Sequence, residues 1–106
     1  MTTKIIGGKR YSTAEARLIA GYDNGLSASD FKHFEEELYV TEKGNWFTCG
    51  SGGPLSPYAV STGNNSWAGS SDVIRTMTPY EARAWLERYG ETEALEAYFA
   101  DTIEDA

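Results

Sequence analysis

The segment Glu37-Leu38-Tyr39-Val40-Thr41, the connector Glu42-Lys43-Gly44-Asn45 and the segment Trp46-Phe47-Thr48-Cys49 decide how the rest of the chain is read. Both flanks are rich in β-branched and aromatic residues and the connector holds a glycine, which together predict two antiparallel strands. Alternation along the first strand sets Leu38 and Val40 on one face and Glu37, Tyr39 and Thr41 on the other. The sheet is thus expected to have a core side and a wetter side. Upstream, Lys4-Ile5-Ile6, Gly7-Gly8 and Lys9-Arg10-Tyr11 predict a short hairpin, because a Gly-Gly pair supplies the positive φ of a tight turn. Ser12-Thr13-Ala14-Glu15 has the spacing of a capping box. The helix it opens would carry Ala14, Leu18 and Tyr22 on one stripe and stop at Asn24-Gly25.

Downstream, residues 50–71 are dominated by Gly, Ser, Pro and Asn and read as one long loop, pinned to the sheet by Trp67. Asp72 to Thr76 reads as a further strand. Thr78-Pro79-Tyr80-Glu81 is a helix start, with threonine at the cap, proline at the first position and glutamate three residues after the cap. Its buried stripe is Ala82, Trp85, Leu86 and Tyr89, and Gly90 ends it. A last helix opens near Thr92, with Leu95, Tyr98 and Phe99 on one side and Glu93, Glu96, Asp101 and Glu104 toward the other. The fold expected from this order is α+β: a small, mainly antiparallel sheet with three helices packed on one face, in a single domain spanning 1–106.

The chain of 106 residues has a formal net charge of −7, unevenly spread. Residues 1–34 are mildly basic, whereas no Lys or Arg follows Arg88. A solubilising surface and a surface for a basic partner are both compatible with that acidic tail. Binding to duplex DNA through its phosphates is disfavoured, since it needs Lys and Arg. No run approaches the length of a membrane span, and the N-terminus lacks the apolar core of a secretory signal, so an intracellular, soluble chain is expected. One cysteine excludes an internal disulfide, and one histidine with one cysteine makes no structural zinc site, so no metal and no cofactor is expected.

Enzymatic readings are weak. In Cys49-Gly50-Ser51-Gly52-Gly53 a phosphate-binding loop lacks its Gly-Lys-Ser/Thr ending, and a nucleophile elbow lacks its first glycine, a position held by Cys49. Cys49 and His33 form the one available thiol–imidazole pair, but no orienting third group is evident. Glu35 and Glu37 fall on the same side of an extended segment, about 6.7 Å apart. That suits a glycosidase pair, a phosphate-like charge row or a solvated strand edge, and the solvated edge is the simplest of these.

Several segments together resemble a family of small acidic proteins encoded on bacterial mobile elements and phages. They are Gly8-Lys9-Arg10-Tyr11-Ser12-Thr13-Ala14-Glu15, Leu38-Tyr39 with Gly44-Asn45-Trp46-Phe47, Gly50-Ser51-Gly52-Gly53-Pro54 with Ser56 and Tyr58-Ala59, Gly63 to Gly69, and Thr78 to Leu86. Some members of that family resemble anti-CRISPR proteins directed at type I, notably type I-C, surveillance complexes. The resemblance implies a non-enzymatic inhibitor acting in the bacterial host cytoplasm. It would bind a basic, DNA-binding subunit of such a complex through a DNA-mimicking acidic surface. The residues expected to carry that surface are Glu35, Glu36, Glu37, Glu42 and Asp72 in one patch and Glu93, Glu96, Asp101 and Glu104 in another. Another mobile-element binding module, of antirestriction or antitoxin type, is the alternative. Self-repulsion of the acidic C-terminal helix favours a monomer.

Overall fold

The computed structural model describes residues 1–106 and contains eight strands and two α-helices. Strands β1 (Thr3–Ile6) and β2 (Lys9–Ser12) form the expected hairpin across Gly7-Gly8, both at positive φ. The central sheet has the order β3-β4-β5-β8, all neighbours antiparallel, from β3 (Arg17–Asp23), β4 (Phe34–Val40), β5 (Trp46–Gly52) and β8 (Ser70–Met77). Between β5 and β8 lies a second hairpin, β6 (Val60–Gly63) and β7 (Ser66–Ala68). Helices α1 (Pro79–Arg88) and α2 (Thr92–Phe99) close the chain, followed by a 3-10 turn at Ala100–Thr102.

The expectation of three helices on one sheet is therefore corrected to two helices and three antiparallel sheets. The missing helix is β3. The Ser12 box closes only one turn, with the Glu15 and Ala16 amides on the Ser12 carbonyl at 3.3 and 2.9 Å. The chain then extends and pairs with β4, and Ala20 and Tyr22 pack toward the helices. Gly21, in the last turn of the supposed helix, lowers its helical stability by up to about 1 kcal/mol relative to alanine, whereas pairing with β4 satisfies the backbone of this segment. A register shift between Leu18 and Ala20 marks a β-bulge that interrupts the alternation along this outer strand.

The α1 start is as expected: the Glu81 amide donates to Thr78 Oγ1 at 3.1 Å, and the Thr78 amide to Glu81 Oε1 at 2.9 Å. Helices α1 and α2 cover one face of the sheet through Leu38, Trp46, Ala82, Trp85 and Leu86, with Val40, Leu95 and Phe99 packed around them. The other face is not simply wet. Tyr39 stacks on Phe47 at 5.2 Å, and Tyr11 of β2 meets Phe47 edge-on at 5.4 Å, so the first hairpin caps a second cluster with Ile74. Burying both faces of the central strands is what so aromatic a chain can do with only two short helices.

The 50–71 stretch is likewise corrected. Strand β5 runs on to Gly52, and Asn64-Asn65, both at positive φ, turn the β6–β7 hairpin. Trp67 does not pin this region, for it is 57% exposed; Tyr58, wholly buried, does. Its ring lies against Gly50, where an added Cβ would sit 2.1 Å from the phenol oxygen, so only glycine fits.

Candidate acidic groove

Beside the first hairpin, the hairpin-covered face opens into a groove of about 390 Å³ lined by Asp23, Glu35, Glu37, Asp72, Cys49 and Ser51, with no Lys or Arg in its wall. Strand register explains the grouping. Asp23 lies opposite Glu35, and Gly21 opposite Glu37. On the other side of β4, Glu35 lies opposite Ser51 and Glu37 opposite Cys49. Odd-numbered β4 residues share a face, and neighbouring strands lie about 4.8 Å apart, so these side chains gather on one patch. Asp72 joins from β8 through an irregularity: it adopts φ 54°, and its amide donates to Ser51 Oγ at 3.0 Å where the β5–β8 register shifts. Close packing of like charges across a ladder is destabilising, and donors here are few: the Tyr39 hydroxyl at 3.3 Å from Glu37 and the Gly25 amide at 2.8 Å from Asp23.

Of the expected first patch, Glu35, Glu37 and Asp72 come together. Glu36 does not. It points to the helix face, where it accepts from Trp85 Nε1 at 2.8 Å and from the Tyr58 hydroxyl. Arg75 stacks over the Tyr58 ring at 4.3 Å and donates to the Pro57 carbonyl at 2.9 Å. Glu36 thus joins β4, α1 and the 53–59 turn internally. Glu42 lies in the β4–β5 turn, among Glu15, Arg17, Lys9, Arg10 and Lys43, in surroundings of mixed charge. Glu93, Glu96, Asp101 and Glu104 are exposed along α2 and the segment after it. Because α2 packs on the helix face, this second patch and the groove lie on opposite sides of the sheet.

Asp23 was not among the residues expected at the site. A helical reading of 12–24 put it at a helix end, and its pairing with Glu35 becomes visible only with β3 in place.

The thiol–imidazole pair is not assembled: no hydrogen bond links His33 to Cys49, and His33 Nδ1 instead meets the Leu26 carbonyl at 2.8 Å, with Asp23 Oδ1 at 4.0 Å. Burial first, then the charges of Asp72 and Glu37, push the Cys49 thiol above its ordinary range, so it is held as the un-ionised thiol at neutral pH. Three tyrosines are shifted the same way. Burial and then Glu37 raise Tyr39; burial and then Glu36 raise Tyr58, the most strongly shifted, and Tyr89.

The chain matches no family model, no curated protein and no solved structure. No helix is long and apolar enough to cross a membrane.

Proposed function

We propose that the protein is a stoichiometric, non-enzymatic inhibitor that presents carboxylates to a basic, nucleic-acid-binding protein surface. The target implied by the sequence resemblance is a type I CRISPR surveillance complex in the bacterial host cytoplasm. The observation that carries the reading is the groove: four carboxylates from three strands share one face with no Lys or Arg among them. A protein that holds DNA does so through Lys and Arg placed for phosphates, and phosphate contacts dominate that affinity. A row of carboxylates offers the same sign of charge on a folded scaffold. Encounter is then steered over a long range, and binding weakens as salt rises.

Since the groove and the α2 patch face opposite ways, one flat basic channel engages one of them at a time. Our assignment is the groove, because its residues are positioned by paired strands, whereas Asp101 and Glu104 follow the last α-helix. The first test is phage plaquing on a strain with an active type I-C system, with and without this protein expressed. Restored plaquing of a targeted phage, with an untargeted phage unaffected, is the expected result. The triple variant Glu35→Lys, Glu37→Lys, Asp72→Lys should abolish it. The quadruple variant Glu93→Lys, Glu96→Lys, Asp101→Lys, Glu104→Lys should retain it. Inhibition surviving both sets of reversals would end the charge-based reading.

A further inference from the structure

One end of the groove carries a donor set that differs from a row of acids. Asp23 closes β3, and its register partner Glu35 lies two residues after His33. One ring nitrogen of His33 and one oxygen from each carboxylate lie within 4.8 Å of one another. The His33 side chain is only 16% exposed, so its ring is held in place. A carbonyl oxygen only accepts, so the 2.8 Å contact with Leu26 places the proton on Nδ1 of the neutral ring. Nε2 then keeps its lone pair and makes no hydrogen bond; Nδ1 is the nitrogen that faces Asp23 Oδ1, at 4.0 Å, so both carboxylates must turn toward Nε2 to share an ion with it. One ring nitrogen donating to a backbone carbonyl is the usual outer support of a metal-bound imidazole. Asp23 is steadied as well, because its Oδ1 accepts from the Gly25 amide at 2.8 Å. Two carboxylates placed opposite each other in a ladder repel, and a cation between them turns that repulsion into attraction.

We propose that Asp23, His33 and Glu35 bind one divalent first-row transition-metal ion, with the remaining coordination positions open to water or a partner's side chain. An imidazole with two carboxylates suits Zn²⁺, Co²⁺ or Ni²⁺ better than Mg²⁺ or Ca²⁺, which prefer oxygen alone. Bonds of about 2.0–2.2 Å require the three donors to draw together. Asp23 and Glu35 are exposed, and rotation of their side chains is the movement this requires. The site does not depend on the inhibitor reading. It is an open three-ligand site, distinct from the four-ligand structural zinc site that a single histidine and a single cysteine exclude.

His33 is the sole histidine, which makes the test clean. The full-length, tag-free chain is titrated with Zn²⁺, followed by calorimetry and by the imidazole nitrogen resonances. Saturable binding of one ion per chain is expected, with a large shift of one His33 ring nitrogen. Co²⁺ should give visible bands in place of Zn²⁺. Glu35→Gln and Asp23→Asn, near-isosteric changes, should each weaken binding at least about tenfold, since even outer supports of a ligand are worth that much. Glu37→Gln and Asp72→Asn should leave it nearly unchanged. The proposal is overturned if binding does not saturate, if the His33 nitrogens do not move, or if Glu37→Gln weakens binding as much as Glu35→Gln. That last result would mean general condensation of cations in an acidic groove. The histidine resonance of the unmodified chain keeps the test decisive even if a variant folds poorly.

Discussion

Glu36 and its neighbours Glu35 and Glu37 are chemically identical, yet the two faces of the sheet put them to different use. On the helix face Glu36 is tied to Trp85 and Tyr58 and joins three parts of the fold. On the hairpin face Glu35 and Glu37 stand in an open groove with Asp23 and Asp72. What differs is the cover. Helix α1 brings an indole donor, and the 53–59 turn a phenol donor, down onto a carboxylate. The four-residue strands of the first hairpin bring mainly Tyr11, and donate no hydrogen bond to the acids. A run of three glutamates is thus half scaffold and half surface, divided by the period-two alternation of a strand.

The largest effect should come from opening the helix face. Leu86 is fully buried between the helix and the sheet, so Leu86→Ala should cost about 3 kcal/mol in denaturant unfolding. Tyr11→Ala on the other face should act locally. Hydrogen exchange should quicken in β1 and β2 while α1 amides keep their protection. If Tyr11→Ala unprotects α1 as well, the two faces are one cooperative unit and the contrast fails.

Alkaline pH should come next. The phenols of Tyr39, Tyr58 and Tyr89 are raised above their ordinary value of 10.0, so the native state keeps their protons after the unfolded chain has begun to lose them. The stability they contribute is fully present below pH 10 and is lost as pH climbs through the raised values. Unfolding midpoints measured from pH 8 upward should therefore stay level and then fall. Tyr58→Phe should flatten that fall, and near neutral pH it should cost about 1–2 kcal/mol by leaving Glu36 one donor short.

The smallest effect belongs to the groove. Glu35→Gln removes one of two carboxylates facing each other across β3 and β4, and should stabilise the chain by a few tenths of a kcal/mol, up to about 0.5. Loss of stability in thermal unfolding would contradict the claim that this pair is repulsive.

The helix α1 was legible because Thr78, Pro79 and Glu81 each act locally, through a cap, a fixed φ and a returning carboxylate. The β4–β5 hairpin was legible from β-branched and aromatic runs around a glycine turn. Residues 12–24 were not, since Ala14, Leu18 and Tyr22 fit a helical stripe, and only Gly21 argued for the strand. The β6–β7 hairpin escaped because its strands bury nothing, leaving Asn64-Asn65 as its sole mark. At the site, the shared face of Glu35 and Glu37 followed from alternation alone. Asp23 and Asp72 arrive through pairing with distant strands, which local pattern does not encode.

The bulge in β3 and the left-handed Asp72 in β8 have a bearing on how the protein behaves in quantity. These are the two outer strands of the central sheet, and each is broken in its regular ladder. A flat, unbroken edge is a template on which a second chain adds, and then a third; a kinked one offers no such run. These irregular edges let the protein reach high concentration without the sheets of separate molecules zipping into aggregates.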